Sequence, residues 1–198
     1  MGRSLSTGEI DAKADSDNLR GIADGEARAL GEFYDRHAGA SYALALRMLN
    51  DAADAEEVVQ DVFVHVWRHA RTYDGTRASA RGWLLMMTRS RAIDRIRARQ
   101  ARPGTGPATS DPAGLARLAD ARPAPDRMLI DLESVERLEA ALGGLPEPMR
   151  VALDLAYYQG LTQSAIATQL GEPLGTIKTR MRTALTKLRA ALRPVDGP

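Results

Sequence analysis

"LTQSAIATQLGEPLGTIKTRMR", residues 161–182, has the spacing of two short helices joined by a tight turn. Thr162 can cap the first helix, and Pro173 suits the first turn of the second, where its missing N–H would be unpaired anyway. Such a motif needs a small residue where the helices approach, a turn residue that tolerates positive φ, and a β-branched residue that locks the helices together. Those positions hold Ala167, Gly171 and Ile177. The spacing predicts a helix-turn-helix.

The second of these helices has an apolar side and a cationic, hydroxyl-rich side. At about 100° per residue, one stripe is predicted to be buried: Ile177, Met181, Ala184, Leu185, Leu188 and Leu192. The other side carries threonines and cations: Thr176, Lys178, Thr179, Arg180, Arg182, Thr183, Thr186 and Lys187. Hydroxyls and guanidinium groups can bind base edges, and flanking cations can bind phosphates. We predict a DNA-recognition helix; the alternative is a solvated amphipathic helix that closes a bundle.

Apolar residues follow helical spacing on both sides of a proline-rich segment, and period-two alternation is absent. The pattern predicts an all-α protein with two small helical domains, residues 18–102 and 130–193. Residues 1–17 are small and polar and predict a flexible tail. Residues 103–129 predict a flexible linker. Five of the ten prolines lie in this linker: Pro103, Pro107, Pro112, Pro123 and Pro125.

Composition excludes several classes of protein. The chain has no cysteine, no apolar run near the ~20 residues of a membrane span, and no signal-peptide core, so a cytoplasmic location is expected. The three histidines lie outside any "HExxH" pattern: His37, His65 and His69. No phosphate-binding glycine loop and no nucleophile with a partner base is apparent. We expect no enzyme activity, no metal, no cofactor and no small-molecule substrate.

The segment "DAADAEEVVQD", residues 51–61, holds five acids and no base. A buried stripe is predicted beside them: Val58, Val59, Val62, Phe63, Val66 and Trp67. Asp54, Glu57 and Asp61 would then project together from a neighbouring face and suit a basic protein partner. The alternative is a solvated helix start whose acids favour the helix dipole.

The segment "RGWLLMMTRSRAIDRIRARQAR", residues 81–102, has the opposite charge. Seven arginines stand against one acid, Asp94. A surplus of this size exceeds what solubility requires and favours contact with nucleic acid, although a solvated face is the alternative.

The order of these parts resembles the extracytoplasmic-function (ECF) group of the bacterial sigma-70 family, over residues 18–100 and 130–193. "DAEEVVQDVFVHVW" resembles the family's region 2.2, and "WLLMMTRSRAIDRIRARQ" resembles regions 2.3 and 2.4. The segment from "LPEPMRV" to "LTKLR" resembles region 4, with "GTIKTR" especially specific. Within the group, "LAYYQGLT" and "LGTIKTRMR" are similar to the SigK type.

The resemblance implies a sigma factor that directs core RNA polymerase to promoters and is held inactive by a membrane-bound anti-sigma factor. Four residues would dock on the β′ clamp helices: Asp54, Glu57, Gln60 and Asp61. The promoter −10 element would meet Trp83, Arg89, Ser90, Arg91, Arg95, Arg97 and Arg99. The −35 element would meet Thr176, Lys178, Thr179, Arg180, Arg182, Thr183 and Lys187. The second domain would also touch the β flap.

Two positions depart from the family pattern. Ser90 stands where the family commonly has asparagine, and one hydroxyl replaces an amide donor and a carbonyl acceptor. A base-specific role therefore carries over least well at position 90. Ser164 replaces an acid often found before the "IA" of the first motif helix, which changes its capping but not its type.

The main rival hypothesis is a free-standing regulator that binds an operator as a dimer through the same helix-turn-helix. It would need a dimer interface or a ligand pocket, and the first domain shows neither a clear heptad pattern nor a pocket signature. An RNA-processing enzyme is a more distant alternative that lacks any catalytic constellation.

Overall fold

The computed structural model describes residues 7–101 and 132–192, and the side chains of residues 11–99 and 138–192. These ranges hold eight α-helices and no strand, which confirms the all-α prediction. Backbone contacts divide the chain into two compact units, Met1–Met128 and Leu129–Pro198. The predicted linker over 103–129 lies outside the described residues.

The first domain contains four α-helices and one short 3₁₀ turn. They are α1 (Thr7–Ala23), α2 (Ala27–Leu49), α3 (Ala52–His69), the 3₁₀ turn (Ala70–Thr72) and α4 (Ala80–Ala101). Their ends follow from local chemistry. Gly25 and Asn50 take left-handed conformations after α1 and α2, with φ of 89° and 50°, and these two residue types accept that region readily. Asp51 then caps α3 by accepting the Asp54 N–H at 2.9 Å.

Helix α2 packs against each of the other three α-helices of the first domain. Phe33 of α2 is completely buried, as are Val62 of α3 and Leu84 of α4. The predicted stripe of α3 is confirmed at Val58, Val59, Val62, Phe63 and Val66. It is wrong at Trp67, which is 39% exposed, because the covering helices leave that edge of α3 uncovered.

The prediction of a flexible tail over residues 1–17 is wrong from Thr7 onward, where α1 begins. Leu19 and Ile22 of this helix are buried in the domain core. Asp15 is also buried, and its carboxylate pairs with Arg36 and lies 2.9 Å from His37 Nε2. The partners of Asp15 come from α2, so the polar composition of the segment concealed its tertiary role.

We expect Asp15→Asn to destabilise the first domain by about 1.5 kcal/mol near neutral pH. Burial alone raises the pKa of Asp15, but the hydrogen bond and charge of His37, together with Arg36, outweigh it and lower the pKa. The stabilisation is therefore complete above the unfolded-state pKa of about 3.9 and is lost as pH falls through the folded-state pKa. The other groups that face this carboxylate are Arg81 and Tyr73.

The measurement is urea unfolding of the wild type and the variant from about pH 5 to about pH 3, followed by tryptophan fluorescence. Both tryptophans, Trp67 and Trp83, lie in the first domain, so this signal reports that domain alone. The difference in unfolding free energy should shrink as pH falls. A difference that stays constant across this range would contradict the assignment.

The second domain contains α5 (Leu132–Gly143), α6 (Glu147–Tyr158), α7 (Gln163–Leu170) and α8 (Leu174–Ala191). Helix α8 contacts the other three. A small aliphatic core joins α6, α7 and α8: Ala152, Leu155, Ile166, Ala167 and Ile177. Across both domains, no described helix has the length and apolar character needed to cross a bilayer.

Candidate nucleic-acid and polymerase interfaces

Helices α7 and α8 form the predicted helix-turn-helix. The Thr162 hydroxyl oxygen accepts the Ala165 N–H at 3.1 Å and so caps α7. Gly171 ends α7 with φ of 65°, and the Glu172 N–H returns to the Ala167 carbonyl at 3.0 Å, as in a Schellman cap. An added Cβ at Gly171 would meet nothing within 4 Å. Glycine is therefore required here for its backbone conformation rather than for space.

The buried stripe of α8 is narrower than predicted. Ile177 and Ala184 are completely buried, which confirms the centre of the stripe. Leu185 and Leu192 are exposed, Leu185 by 42%, so the prediction is wrong for both. Because only a thin core of small aliphatic residues covers α8, its far edge stays in solvent.

The threonines of α8 divide into two groups. Thr179 donates its hydroxyl to the Gly175 carbonyl at 2.9 Å, and Thr186 donates to the Arg182 carbonyl at 2.9 Å. In this geometry each hydroxyl hydrogen is donated to a backbone carbonyl of the same helix. The exposed hydroxyl oxygen can still accept a hydrogen bond from a partner. Thr176 and Thr183, predicted on the same face, are half-buried.

The cations of α8 also divide into two groups. Arg180 is half-buried, and its Nη1 lies 2.7 Å from both carboxylate oxygens of Glu172, in the turn before the helix. Lys178, Arg182 and Lys187 are exposed. Sequence spacing places both Arg180 and Arg182 beside the threonine face, and the ion pair distinguishes Arg180 from Arg182.

The acidic face of α3 is divided by contacts with α4. Asp54 is 14% exposed, and its Oδ1 accepts hydrogen bonds from Arg95 Nε and Nη2 at 2.9 and 2.6 Å. Its other oxygen pairs with Arg99. The prediction that Asp54 projects with Glu57 and Asp61 is therefore wrong, because α4 supplies two arginines that turn the carboxylate into the domain.

Arg95 and Arg99, both predicted to meet the −10 element, are held by acids of α3. Arg95 also pairs with Glu57. The Nη2 of Arg99 lies 3.4 Å from Asp51 Oδ2, and its Nη1 donates to the Leu49 carbonyl at 3.1 Å. Sequence reasoning missed these pairs because the two charged segments lie about forty residues apart in the chain, with no local signal that links them.

The other residues of α4 that are predicted to meet the −10 element differ in their exposure to solvent. Trp83 is half-buried and packs on Tyr73, with ring centroids 5.4 Å apart. Arg89 is also half-buried. Three of the predicted −10 residues are exposed: Ser90, Arg91 and Arg97.

Comparisons with known families match both domains. The "Sigma-70 region 2" model matches residues 33–102, and the "Sigma-70, region 4" model matches residues 141–190. The ECF RNA polymerase sigma factor SigK of Mycobacterium ulcerans is 40% identical over 174 residues, which cover 88% of this chain and 91% of SigK. The chain belongs to the ECF sigma factors. The SigK of Mycolicibacterium vanbaalenii is 37% identical over 191 residues, 95% of this chain and 91% of that protein.

Among solved structures, Rhodobacter sphaeroides SigE in complex with the anti-sigma ChrR is 31% identical to this ECF sigma factor. The match covers 90% of this chain and 98% of SigE, with a TM-score of 0.46. The resemblance stated from the motifs, including the SigK type, is confirmed by the curated relatives. The region 2 match begins within α2, so α1 and Asp15 precede it.

Two exposed apolar features of the ECF sigma factor were missed from its sequence. Met86 is 64% exposed, one turn before Ser90 on α4. Val64 and Trp67 are exposed on α3, at helical spacing from Gln60. Each lies beside polar residues that are predicted to belong to an interface. Exposed apolar residues are common on soluble proteins, so sequence alone gave no reason to select them.

The histidines of the ECF sigma factor form no metal centre in the described ranges, where no group of three or more metal-ligating side chains is found. His37 is buried beside Asp15, and His65 and His69 stack with ring centroids 4.1 Å apart. Burial lowers the pKa of His65, and the charges of His69 and Arg91 lower it further.

Proposed function

We propose that this ECF sigma factor directs core RNA polymerase to its promoters through three surfaces, one for each contact. Helix α8 reads the −35 element, helix α4 holds the −10 element, and helix α3 docks on the β′ clamp helices. One observation carries the proposal. The helix-turn-helix is complete, and the exposed side of α8 presents four cations with no acid along the helix: Lys178, Arg182, Lys187 and Arg189.

Within α8 we assign base reading to Arg182 and Thr179, and phosphate binding to Lys178 and Lys187. A guanidinium group can bind a guanine edge with two hydrogen bonds, whereas a lysine serves as a point charge for phosphate. The pairing of Arg180 with Glu172 favours a structural role, in which it fixes the turn to the recognition helix.

Within the first domain we assign DNA contact to the exposed residues of α4, namely Ser90, Arg91 and Arg97. Cations on an exposed helix face can neutralise phosphates without rearrangement. For polymerase docking we assign the exposed polar residues of α3, namely Glu57, Gln60 and Asp61. Asp54 supports the domain from within.

The deciding experiment is transcription by purified core polymerase on a promoter library, with and without the protein, followed by sequencing of transcript starts. A sigma factor yields defined starts that share a −35 and a −10 sequence. A free-standing helix-turn-helix regulator would bind duplex DNA but give no starts with core polymerase alone. That second outcome would overturn the proposal.

Family membership also supports an anti-sigma factor as a partner and a cytoplasmic place of action, where polymerase and promoters are found. A membrane-bound anti-sigma factor would hold the protein inactive until a signal releases it. The test is co-purification of the tagged protein from separated membrane and soluble fractions, with and without detergent. Recovery of one membrane protein that blocks transcription in the assay above would support the partner.

We expect Asp61→Lys to weaken core polymerase binding by about tenfold, because a like charge would meet the basic surface that the acidic face fits. The matched control is Glu32→Lys, an exposed acid on α2 whose ion pair is with Arg28 of the same helix. Polymerase affinity is measured by fluorescence anisotropy of the labelled protein. Equal losses in both variants would mean that net charge, rather than this face, governs docking.

A further inference from the structure

His65 and His69 form a stacked pair of imidazole rings, one helical turn apart on α3. Their ring centroids are 4.1 Å apart, and the rings are inclined by only 16°. His69 is exposed and His65 is half-buried. The pair lies beside Arg91 of α4, whose charge acts on His65. Neither the proposed polymerase contacts nor the proposed promoter contacts include these two histidines.

We propose that the His65–His69 pair is a further nucleic-acid contact, which takes up a proton when a backbone phosphate binds at Arg91. The inference rests on the proposed function, since it needs Arg91 of α4 to bind DNA. DNA binding by the first domain then strengthens as pH falls through the range in which histidine titrates. Because the ligand is the phosphodiester backbone, the contact adds affinity without base preference.

A hydrogen bond within α3 identifies a nitrogen that can take the proton. Nδ1 of His69 lies 3.1 Å from the His65 carbonyl oxygen. A carbonyl oxygen only accepts, so Nδ1 of His69 donates, and its Nε2 is left to gain or lose a proton. A protonated Nε2 is a charged donor that a phosphate oxygen can accept, and such hydrogen bonds are the stronger class.

The surroundings of the pair oppose protonation in the free protein. Burial lowers the pKa of His65, and the charges of His69 and Arg91 lower it further. The other charged side chains at neighbouring positions of α3 and the 3₁₀ turn are two cations and one acid: Arg68, Arg71 and Asp61. Two protonated rings at this separation would also repel each other, so the first proton binds more readily than the second.

A phosphate at Arg91 reverses this balance. Its negative charge offsets the arginine that lowers the pKa of His65, and it stabilises the protonated form of the pair. The DNA-bound protein therefore holds more protons than the free protein. By linkage, affinity for DNA rises as pH falls, and it levels off once the free pair is protonated as well.

The test measures the DNA affinity of the full-length protein from about pH 8 to about pH 6, in phosphate-free buffers of constant ionic strength. The probe is a mixed-sequence single-stranded oligonucleotide, which avoids the duplex groove that a helix-turn-helix reads. It carries a dye whose emission does not depend on pH, and affinity is measured by fluorescence anisotropy. The wild type is compared with the double variant His65→Gln/His69→Gln, which keeps polar side chains at both positions.

We expect the wild type to bind the probe about fourfold more tightly at the low end of this range than at the high end. Its salt dependence should steepen by up to ~0.7, the slope of one added phosphate contact on single-stranded DNA. The double variant should show neither change. The difference between the two proteins should therefore grow as pH falls, whereas a loss caused by misfolding would be present at every pH.

Two arginine variants separate this inference from the proposed function. Arg91→Gln removes the arginine beside the pair, and Arg97→Gln removes an exposed arginine further along α4. Both should weaken probe binding, but only Arg91→Gln should also reduce its pH dependence. If neither weakens binding, the DNA role of α4 fails, and the inference fails with it. If both weaken binding while the double histidine variant keeps the pH dependence of the wild type, the DNA role stands and the histidine inference is overturned.

Discussion

Asp54→Asn is expected to destabilise the first domain by about 3 kcal/mol, although the change is nearly isosteric. Asp54 belongs to a charge cluster with Asp51, Glu57, Arg95 and Arg99. It contacts both arginines, and its own side chain is largely buried. Removing one partner of a buried ion pair costs ~3–5 kcal/mol. Because both arginines keep about a third of their surface exposed, we expect the lower end of that range.

The measurement is urea unfolding followed by tryptophan fluorescence, which reports the first domain through Trp67 and Trp83. The matched control is Asp61→Asn on the same helix. Asp61 is exposed and outside the cluster, so its loss should change stability by less than about 0.5 kcal/mol. Equal midpoints for Asp54→Asn and the wild type would show that the cluster does not hold α3 on α4.

Destabilisation by Asp54→Asn would also change how variants that lose polymerase binding are interpreted. Reversing the charges of Asp54, Glu57 and Asp61 together removes two members of the internal cluster and one exposed acid. A loss of polymerase binding in that triple variant would combine unfolding with loss of the docking face. Asp61→Lys alone separates the two effects, because Asp61 lies outside the cluster.

Arg182→Ala is expected to relax base preference in the −35 element by ~1–3 kcal/mol at one base pair, or about 5- to 150-fold in relative affinity. Arg182 is exposed, and the hydroxyl of Thr186 is bound to its carbonyl oxygen, so the backbone beneath it is fixed. Its guanidinium group can reach a guanine edge. The measurement is binding-site selection from a duplex library with a randomised −35 element.

Two comparison variants test whether the change in base preference is specific to Arg182. Lys187→Ala should weaken binding to all sequences alike and lower the salt slope by ~0.9, the value for one phosphate contact on duplex DNA. Arg180→Ala should leave base preference unchanged, because its guanidinium group is held by Glu172. If Arg182→Ala selects the same sequences as the wild type, the helix is a basic clamp, and specificity lies elsewhere.

Much of the second domain could be predicted from the sequence because its determinants are local. The cap at Thr162, the left-handed Gly171 and the buried Ile177 fall within sixteen residues of one another, and each acts through its own backbone or a neighbouring turn. Helical periodicity likewise gave the all-α class and the buried face of α3. The ECF resemblance then followed from the order of these segments.

The sequence by itself determined which residues share a face of one helix, but not which helix lies opposite. The packing of one helix against another decides the pairing of Asp15 with Arg36 and the cluster of Asp54 with Arg95 and Arg99. It also decides the exposure of Leu185. Charges distant in the chain attract only after the core has brought their helices together, and the width of a buried stripe depends on the helices that cover it. Composition therefore located the charged segments, and tertiary packing decided which of those charges remain free to bind a partner.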